Sequence, residues 1–392
     1  MMVKRSTIYT ICLSLCFCQA VIVKISPIYF QNYTIVLRIF LALGLIMLFP
    51  GIKYYLYEKK YFLCNVLIYA MVGSIMLSAI MNKNSYTGSI WVAVTFSLQM
   101  IFLMWYCQYL DLSGHARLGI KCLYILNAFY CILSDVLMIV DPHRTFFEWG
   151  GHTDMYFVGE KFNVTYLHFL LVVLYFLLNK NKLSKKRLKT TGMVVWLLIV
   201  SAYSECSTMV VGTILFILLM CVGKKINNIL LKPLFSIIFL VLCDTILILN
   251  YSLTQVPAVK MIIENILNET TDLTGRVNIY AKTAMIMNAN PLYGVGIDNN
   301  YEVSMRLTHA ADVQNGILDI ILSYGWIGVI ILFVFLMYVT KQSQKNDNKV
   351  TIYAIYVYIA LSIVEITFRQ GMYIYFLLTL LCSWSIERRN KV

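Results

Sequence analysis

The residues with the most chemical capacity are gathered in residues 251–316, the longest polar stretch in the chain. Within it, Thr270-Thr271-Asp272-Leu273-Thr274-Gly275 supplies turn and cap residues. Residues 276–287 then read as one amphipathic helix, with Val277, Tyr280, Ala281, Ala284 and Met285 at helical spacing. Asn290-Pro291 ends that helix. Tyr293-Gly294-Val295-Gly296 marks a place where backbone must bend or approach something closely. Arg306, His309, Asp312, Gln314 and Asn315 cluster just before the next apolar run. Arg276 opens the helix, where a cation gains nothing from the helix dipole. It is therefore either a solvated side chain or an anion clamp, since a guanidinium forks two donors onto a phosphate.

A second polar stretch, 141–163, holds His143, Arg144, His152 and Lys161 beside Asp141, Glu148, Asp154 and Glu160. Its charge is balanced, so it reads as an ordinary loop from which only Arg144 and Lys161 are retained as candidate anion contacts. Arg369 stands in the short turn Phe368-Arg369-Gln370-Gly371 between two apolar runs. That position suits a snorkelling anchor or a substrate contact. Charges inside apolar runs are costly and often functional. Arg38, Asp135, Glu205, Asp244 and Glu365 qualify, and Glu365 is spaced to pair with Arg369 at i,i+4. The 11 cysteines fall almost wholly in apolar runs, without CxxC pairs or Cys/His spacings in the loops. Neither a disulfide framework nor a zinc site is expected.

The elements that must hold these residues are membrane helices. The chain is 60% hydrophobic and only 13% charged, where a soluble domain carries roughly 25% charge. Its apolar runs are too long and unbroken for barrel strands. The expected fold is therefore all-α, a polytopic transmembrane helical bundle of about 12 spans forming one membrane domain over residues 1–392. Spans are read at about 7–23, 34–50, 61–81, 90–110, 118–140, 164–179, 192–205, 207–222, 233–250, 317–340, 351–367 and 371–386. The stretch 192–222 is too long for one span; basic clusters at both of its ends favour a tight hairpin of two short helices tipped by Ser204-Glu205-Cys206-Ser207-Thr208. The two large outer loops are 141–163 and 251–316, the second containing short helices and the candidate active site.

Net charge of +13 does not signal a nucleic-acid partner, because it is spread over short loops rather than gathered on one face. With the N-terminus inside, 22 of the 32 lysines and arginines fall in inner segments and nine in outer ones. Positive charge is retained on the cytoplasmic side, so both termini are expected in the cytoplasm. The first apolar run follows Lys4-Arg5 but lacks a small-x-small cleavage site, and it reads as a retained helix rather than a signal peptide.

Three motifs then carry a resemblance. Thr274-Gly275-Arg276, Asn290-Pro291-Leu292-Tyr293-Gly294-Val295-Gly296, and Gln314-Asn315-Gly316 running into the helix that contains Gly325-Trp326-Ile327-Gly328 resemble the O-antigen ligase/polymerase family, which includes the Wzy-type polysaccharide polymerases. The hairpin tip resembles a weaker family signature, with no arginine here. The resemblance is specific over roughly residues 270–330. It implies a bacterial inner (plasma) membrane enzyme, multi-pass, that transfers a glycan from a polyprenyl diphosphate to a sugar hydroxyl at the outer face of the membrane. Its substrates would be polyprenyl-diphosphate-linked oligosaccharides, and its partners the lipid bilayer, a flippase and chain-length regulator proteins. Arginines would take the leaving-group charge, so no metal and no cofactor are expected.

Within that resemblance, Arg276 and His309 are the catalytic candidates. Arg306, Gln314, Asn315, Arg144, Lys161 and Arg369 are the substrate-binding candidates. The family commonly has His where this chain has Gln314, and an amide cannot act as a base. His309 is the nearest imidazole. Because the ligase branch relies most on the family histidine, Gln314 favours the polymerase branch. A ligase-type transferase and a flippase or transporter without chemistry stay open as alternatives. The discriminator is the long outer loop, since alternating-access transporters place their sites near the midplane on broken helices.

The charge asymmetry generates a test. In a background without native cysteines, Lys185→Cys should be labelled by an impermeant maleimide only after the membrane is opened. Labelling in intact cells would invert the topology.

Overall fold

The computed structural model describes residues 5–140, 144–148, 151–179, 186–249, 256–261, 276–346 and 349–367. Helix α1 (Arg5–Phe17) runs on through one π-helical turn, Cys18–Ile22. Helix α2 (Tyr33–Leu48) passes through a 3-10 turn at Pro50 into α3 (Ile52–Tyr57). Then come α4 (Phe62–Asn82), α5 (Ile90–Leu112), α6 (Ala116–Val140), three short strands, and α7 (Lys161–Asn179). Helices α8 (Arg187–Tyr203) and α9 (Ser207–Cys221) form a hairpin, linked by α10 (Lys224–Leu230) to α11 (Pro233–Leu249). The long loop before α16 contributes α12 (Pro257–Met261), α13 (Arg276–Ala281), α14 (Thr283–Asn288) and α15 (Asn300–Thr308). Helices α16 (Gly316–Asn346) and α17 (Lys349–Leu361) complete the described chain.

The protein is an all-α polytopic membrane protein. Among the described residues, seven helical stretches are long and apolar enough to cross a bilayer: Arg5–Ile22, Tyr33–Tyr57, Phe62–Asn82, Ile90–Leu112, Ala116–Val140, Lys161–Asn179 and Gly316–Ser343. Three shorter apolar helices accompany them, Ser207–Cys221, Pro233–Ile246 and Lys349–Leu361. A helix stands at every expected span except 371–386, which lies outside the described residues. Residues 192–222 are indeed two short helices. Helix α8 starts at Arg187, so Arg187 and Lys189 sit in its first turn.

Several polar side chains inside the bundle pair across helices, which lowers the cost of burying them in an apolar medium. Ser14 and Tyr106 hydroxyls meet at 2.8 Å between α1 and α5, and the Gln108 amide donates to Asn65 Oδ1 at 2.5 Å between α5 and α4. The bundle core is continuous. A second, small core belongs to the outer loop: Ile279, Tyr280, Ile286, Val295, Val303 and Val313 pack with Leu318, Leu322 and Ile366.

Four local expectations change. The 141–163 loop is not irregular: β1 (Arg144–Glu148), β2 (Gly151–Tyr156) and β3 (Gly159–Glu160) form an antiparallel sheet in the order β1-β2-β3, with Arg144 opposite Met155. Its Thr and aromatic residues suit a strand, and the Ser26 N–H donates to the Phe157 carbonyl beyond β2 at 2.9 Å. The helix expected over 276–287 breaks at Lys282. There the Thr283 hydroxyl donates to the Tyr280 carbonyl at 2.7 Å, a local bond that competes with the helical ladder. Helix α17 ends at Leu361 rather than 367, because Ser362 turns its carbonyl to the Gly316 N–H at 2.9 Å.

The fourth change is the largest. Helix α16 is broken at Gly325, whose φ of 64° and ψ of −167° are not helical. A break inside a membrane helix strands backbone donors and acceptors. The turn that follows Asn290 takes them. Val295 N–H donates to the Leu322 carbonyl at 2.7 Å and Gly296 N–H to Ser323 O at 3.1 Å. On the other side of the break, Trp326 N–H donates to Pro291 O at 2.8 Å and Ile327 N–H to Leu292 O at 3.4 Å. Helix α4 adds support: Ser78 Oγ donates to Ser323 O, and Asn82 Nδ2 to Gly294 O, both at 2.8 Å. The Asn-Pro-Leu-Tyr-Gly-Val-Gly segment is therefore a plug for the break.

Two glycines permit this contact. Gly294 has φ +71°, and a Cβ there would lie 2.4 Å from the Ser323 carbonyl carbon; a Cβ on Gly325 would lie 2.3 Å from Leu292 O. Gly294→Ala and Gly325→Ala should each cost about 2–4 kcal/mol, the sum of a left-handed residue and an overpacked contact. Gly192→Ala, where nothing lies within 4 Å of the new Cβ, should leave the melting temperature in detergent unchanged. Equal melting temperatures for all three would remove the plug from the fold's requirements.

Candidate functional site

The outer loop from α13 to Asn315 folds over the first half of α16. It is latched to the α4–α5 turn by three successive backbone donors. Thr87 N–H and its hydroxyl donate to Glu302 Oε2 at 3.1 and 2.8 Å. Gly88 N–H donates to Asn299 Oδ1 at 2.8 Å, and Ser89 N–H to Asp298 Oδ2 at 2.6 Å. The Thr87 N–H and hydroxyl, with the Arg306 guanidinium adding less, hold the Glu302 carboxyl below the ordinary glutamate range. Inside, Asn300 Nδ2 donates to Asp319 Oδ1 at 3.1 Å and also to Ser323 Oγ, so α15 is tied to the α16 half-helix as well.

Asn315 is fully buried and is the N-cap of α16: its Oδ1 accepts from Leu318 N–H at 3.1 Å. Its Nδ2 donates to the Asp244 carbonyl at 3.0 Å and the Ile363 carbonyl at 3.3 Å. Gln314, half-buried, has a left-handed backbone with φ 51°. Its Nε2 donates to Asp312 Oδ1 at 2.6 Å, and its own carbonyl accepts from the Tyr280 hydroxyl at 2.9 Å. Tyr280 belongs to α13, the helix opened by Arg276. The third motif is thus bonded to the helix that carries the first.

His309 is the left-handed C-cap of α15, with φ 60°, and is exposed. Arg306, one turn earlier, is two-thirds exposed and pairs with Glu302 Oε1 at 2.5 Å. Arg306 lies in the last turn of the helix, where positive charge is favoured. Lys161 opens α7 and its ammonium reaches the Glu205 carbonyl at the hairpin tip, 3.4 Å away. Arg276 opens α13 and Arg144 opens β1, but their side chains lie outside what is described, as does Arg369 entirely. The structure therefore gathers Arg306, His309, Gln314, Asn315 and the start of α13 on one folded loop. It places Lys161 with the hairpin tip. Among the described residues, no group of three His, Cys, Asp or Glu side chains is placed to hold a metal.

Sequence reasoning passed over Tyr280, Glu302, Asn300 and the α4 pair Ser78 and Asn82. Tyr280 counted only as an apolar face residue. Ser78 and Asn82, one helical turn apart at the end of α4, were a local polar signal that went unread. Asp244 was visible as a carboxylate inside an apolar run, without its partners.

Residues 164–333 match the family model described as O-antigen ligase, which supports the O-antigen ligase/polymerase family for this chain. The match begins in α7, takes in the hairpin tip and the whole folded outer loop, and ends just beyond the break in α16. No curated protein and no solved structure matches the chain.

The capping geometry can be tested directly. Asn315→Ala should cost about 2–3 kcal/mol, roughly 1 from the cap and the rest from buried carbonyls left without a donor. Asn315→Asp keeps the cap acceptor but turns a carboxylate oxygen toward the Asp244 and Ile363 carbonyls in place of the amide donor, and should be worse. A melting temperature in Asn315→Asp above that of Asn315→Ala would contradict this account.

Proposed function

We propose that the protein is a polysaccharide polymerase that joins polyprenyl-diphosphate-linked oligosaccharide repeat units at the outer face of the bacterial cell membrane. Such polymers build a capsule, an exopolysaccharide or an O-antigen. The family match supports a membrane glycan-processing enzyme. The observation that carries the finer reading is the juxtaposition of the Arg276 helix with the Gln314-Asn315 segment through Tyr280, on a loop anchored over the end of the bundle.

In the reaction, the acceptor sugar hydroxyl attacks the anomeric carbon of the donor glycan. The carbon–oxygen bond to the diphosphate breaks, and the polyprenyl diphosphate leaves with the bonding electron pair. Arg276 forks onto the departing diphosphate, where negative charge develops, and Arg306 offers a second cation once it leaves Glu302. The hydroxyl proton passes to His309, an imidazole on the exposed end of α15. Gln314 orients the acceptor by hydrogen bonding. Asn315 holds the start of α16 beneath it. Lys161, Arg144 and Arg369 are the cations proposed for the glycan or diphosphate periphery. The flippase that delivers the donor and a chain-length regulator are proposed as protein partners.

A second reading is a ligase that moves a finished glycan to a different acceptor, which the description of the matching family favours. Gln314, where the family commonly has histidine, favours the polymerase. A transporter is disfavoured by the plugged break: the backbone groups that a broken helix offers to a substrate are already bonded to the Asn290–Gly296 turn.

Purified protein in nanodiscs, given lipid-linked repeat units, should lengthen them. Arg276→Ala should abolish polymer while still reaching the membrane. Arg276→Lys should restore only part of it, because an ammonium lacks the planar fork. His309→Ala should lower turnover about 10²-fold, the usual range for a general base. Full activity in Arg276→Ala would remove Arg276 from the site, and a wild-type protein that transfers no glycan at all would end the proposal. Transfer only to an acceptor other than a repeat unit would select the ligase.

A further inference from the structure

Asp244 is a carboxyl with no exposed surface on the otherwise apolar α11. A carboxyl in such a place costs several kcal/mol unless its hydrogen bonds are made. Its partners are all at one junction. Asp244 Oδ1 accepts from the Ile317 N–H at 3.3 Å. That N–H is one of the first donors of α16, which have no partner within the helix. Asp244 Oδ2 lies 2.9 Å from Ser362 Oγ, at the end of α17. Three helices, α11, α16 and α17, therefore meet on one side chain.

The same Ser362 Oγ lies 2.6 Å from the Ile359 carbonyl. A hydroxyl has one proton and cannot donate to both neighbours at once. The arrangement is fully satisfied when Asp244 is a neutral acid: its O–H donates to Ser362 Oγ, Ser362 donates to Ile359 O, and the other carboxyl oxygen accepts from α16. The next residue carries the network outward. The Ile363 carbonyl accepts from Asn315 Nδ2 at 3.3 Å, and the Tyr280 hydroxyl lies 3.0 Å from Ile363 O and 2.9 Å from Gln314 O, its one proton shared between these two carbonyls. The Ser362-Ile363 turn is thus the hub where the α16 N-terminus, the Gln314-Asn315 segment and the Arg276 helix are joined.

We propose that Asp244, held as a neutral carboxylic acid, and Tyr280 are positioning residues that set the Arg276 helix against the Gln314 segment through the Ser362-Ile363 turn. This inference rests on the glycan-transfer reading of the site. Neither side chain touches substrate. Tyr280 removes the slack between the arginine-bearing helix and α16, and Asp244 seats α16 against the bundle. A displacement of about 1 Å at reacting groups is enough to cost on the order of 10²-fold in rate.

The experiment compares Tyr280→Phe, Asp244→Asn, Asp244→Ala and Arg276→Ala in nanodiscs with polyprenyl-diphosphate-linked repeat units. Each is measured for kcat, KM, melting temperature, and hydrogen–deuterium exchange in peptides spanning 276–288 and 312–318. Tyr280→Phe keeps the buried ring, so it should melt like the wild type yet lose about 10- to 100-fold in kcat, with KM little changed. Exchange should rise in both peptides. Asp244→Asn reproduces one donor and one acceptor and should keep kcat within about twofold, whereas Asp244→Ala should lose it and loosen residues 312–318. Wild-type kcat and exchange in Tyr280→Phe would overturn the role of Tyr280. An inactive but folded Asp244→Asn would show that the charge is needed and overturn the neutral acid. No lengthening of repeat units by the wild-type protein would instead refute the glycan-transfer reading, while the exchange data would still decide the positioning.

Discussion

The structure depends on one constraint: backbone hydrogen bonds opened inside a membrane helix have to be closed by protein. Helix α16 is broken at Gly325, and four of the groups around the break are bonded to residues 291–296. Water is scarce there, so an unpaired group costs several kcal/mol. The plug is consequently not a loop that drifts over the surface. Its position along α16 is set to the ångström, and everything attached to it is set with it. Helix α14 ends two residues before Asn290 and α15 begins four residues after Gly296, so both are held by the same seal.

That seal turns a long outer loop into a folded unit. The unit has a small apolar core of its own, built on Ile279, Tyr280, Val295 and Val313 against Leu318 and Leu322 of α16. It is latched on its far side to the α4–α5 turn through Asp298, Asn299 and Glu302. A reaction that separates a diphosphate from a sugar needs cations whose spacing does not relax when charge develops. A loop held by a plug, a core and a latch meets that need. Two of its exposed side chains, Arg306 and His309, sit on one end of one short helix.

The same architecture bears on the rival reading. Broken helices in transporters leave half-helix ends open to a solute. Here the break is spent on holding the loop, and the N-terminus of α16 is occupied by Asp244 and capped by Asn315. The polar machinery of the membrane segments near the loop thus faces inward, toward positioning.

The sequence by itself determined the membrane class, the places of the spans, the split of residues 192–222 into a hairpin and the loop that carries the family motifs. These are local properties: an apolar run of about 20 residues has few other fates, and a glycine pair beside Asn-Pro announces an unusual turn wherever it is placed. Only the tertiary structure decided what Gly294 and Gly325 are for, because the clash each avoids is with a segment 29 to 33 residues away in the chain. It likewise decided that Asp244 answers to Ser362 and to the Ile317 N–H, that Tyr280 joins α13 to the Ser362-Ile363 turn, and that Thr87 holds Glu302. Such pairs depend on which helices are neighbours. In a bilayer every helix is apolar on its lipid face, so the hydrophobic pattern that places the spans says little about their partners. The partners are chosen by a few buried polar atoms, and those can be matched only once the chain is folded.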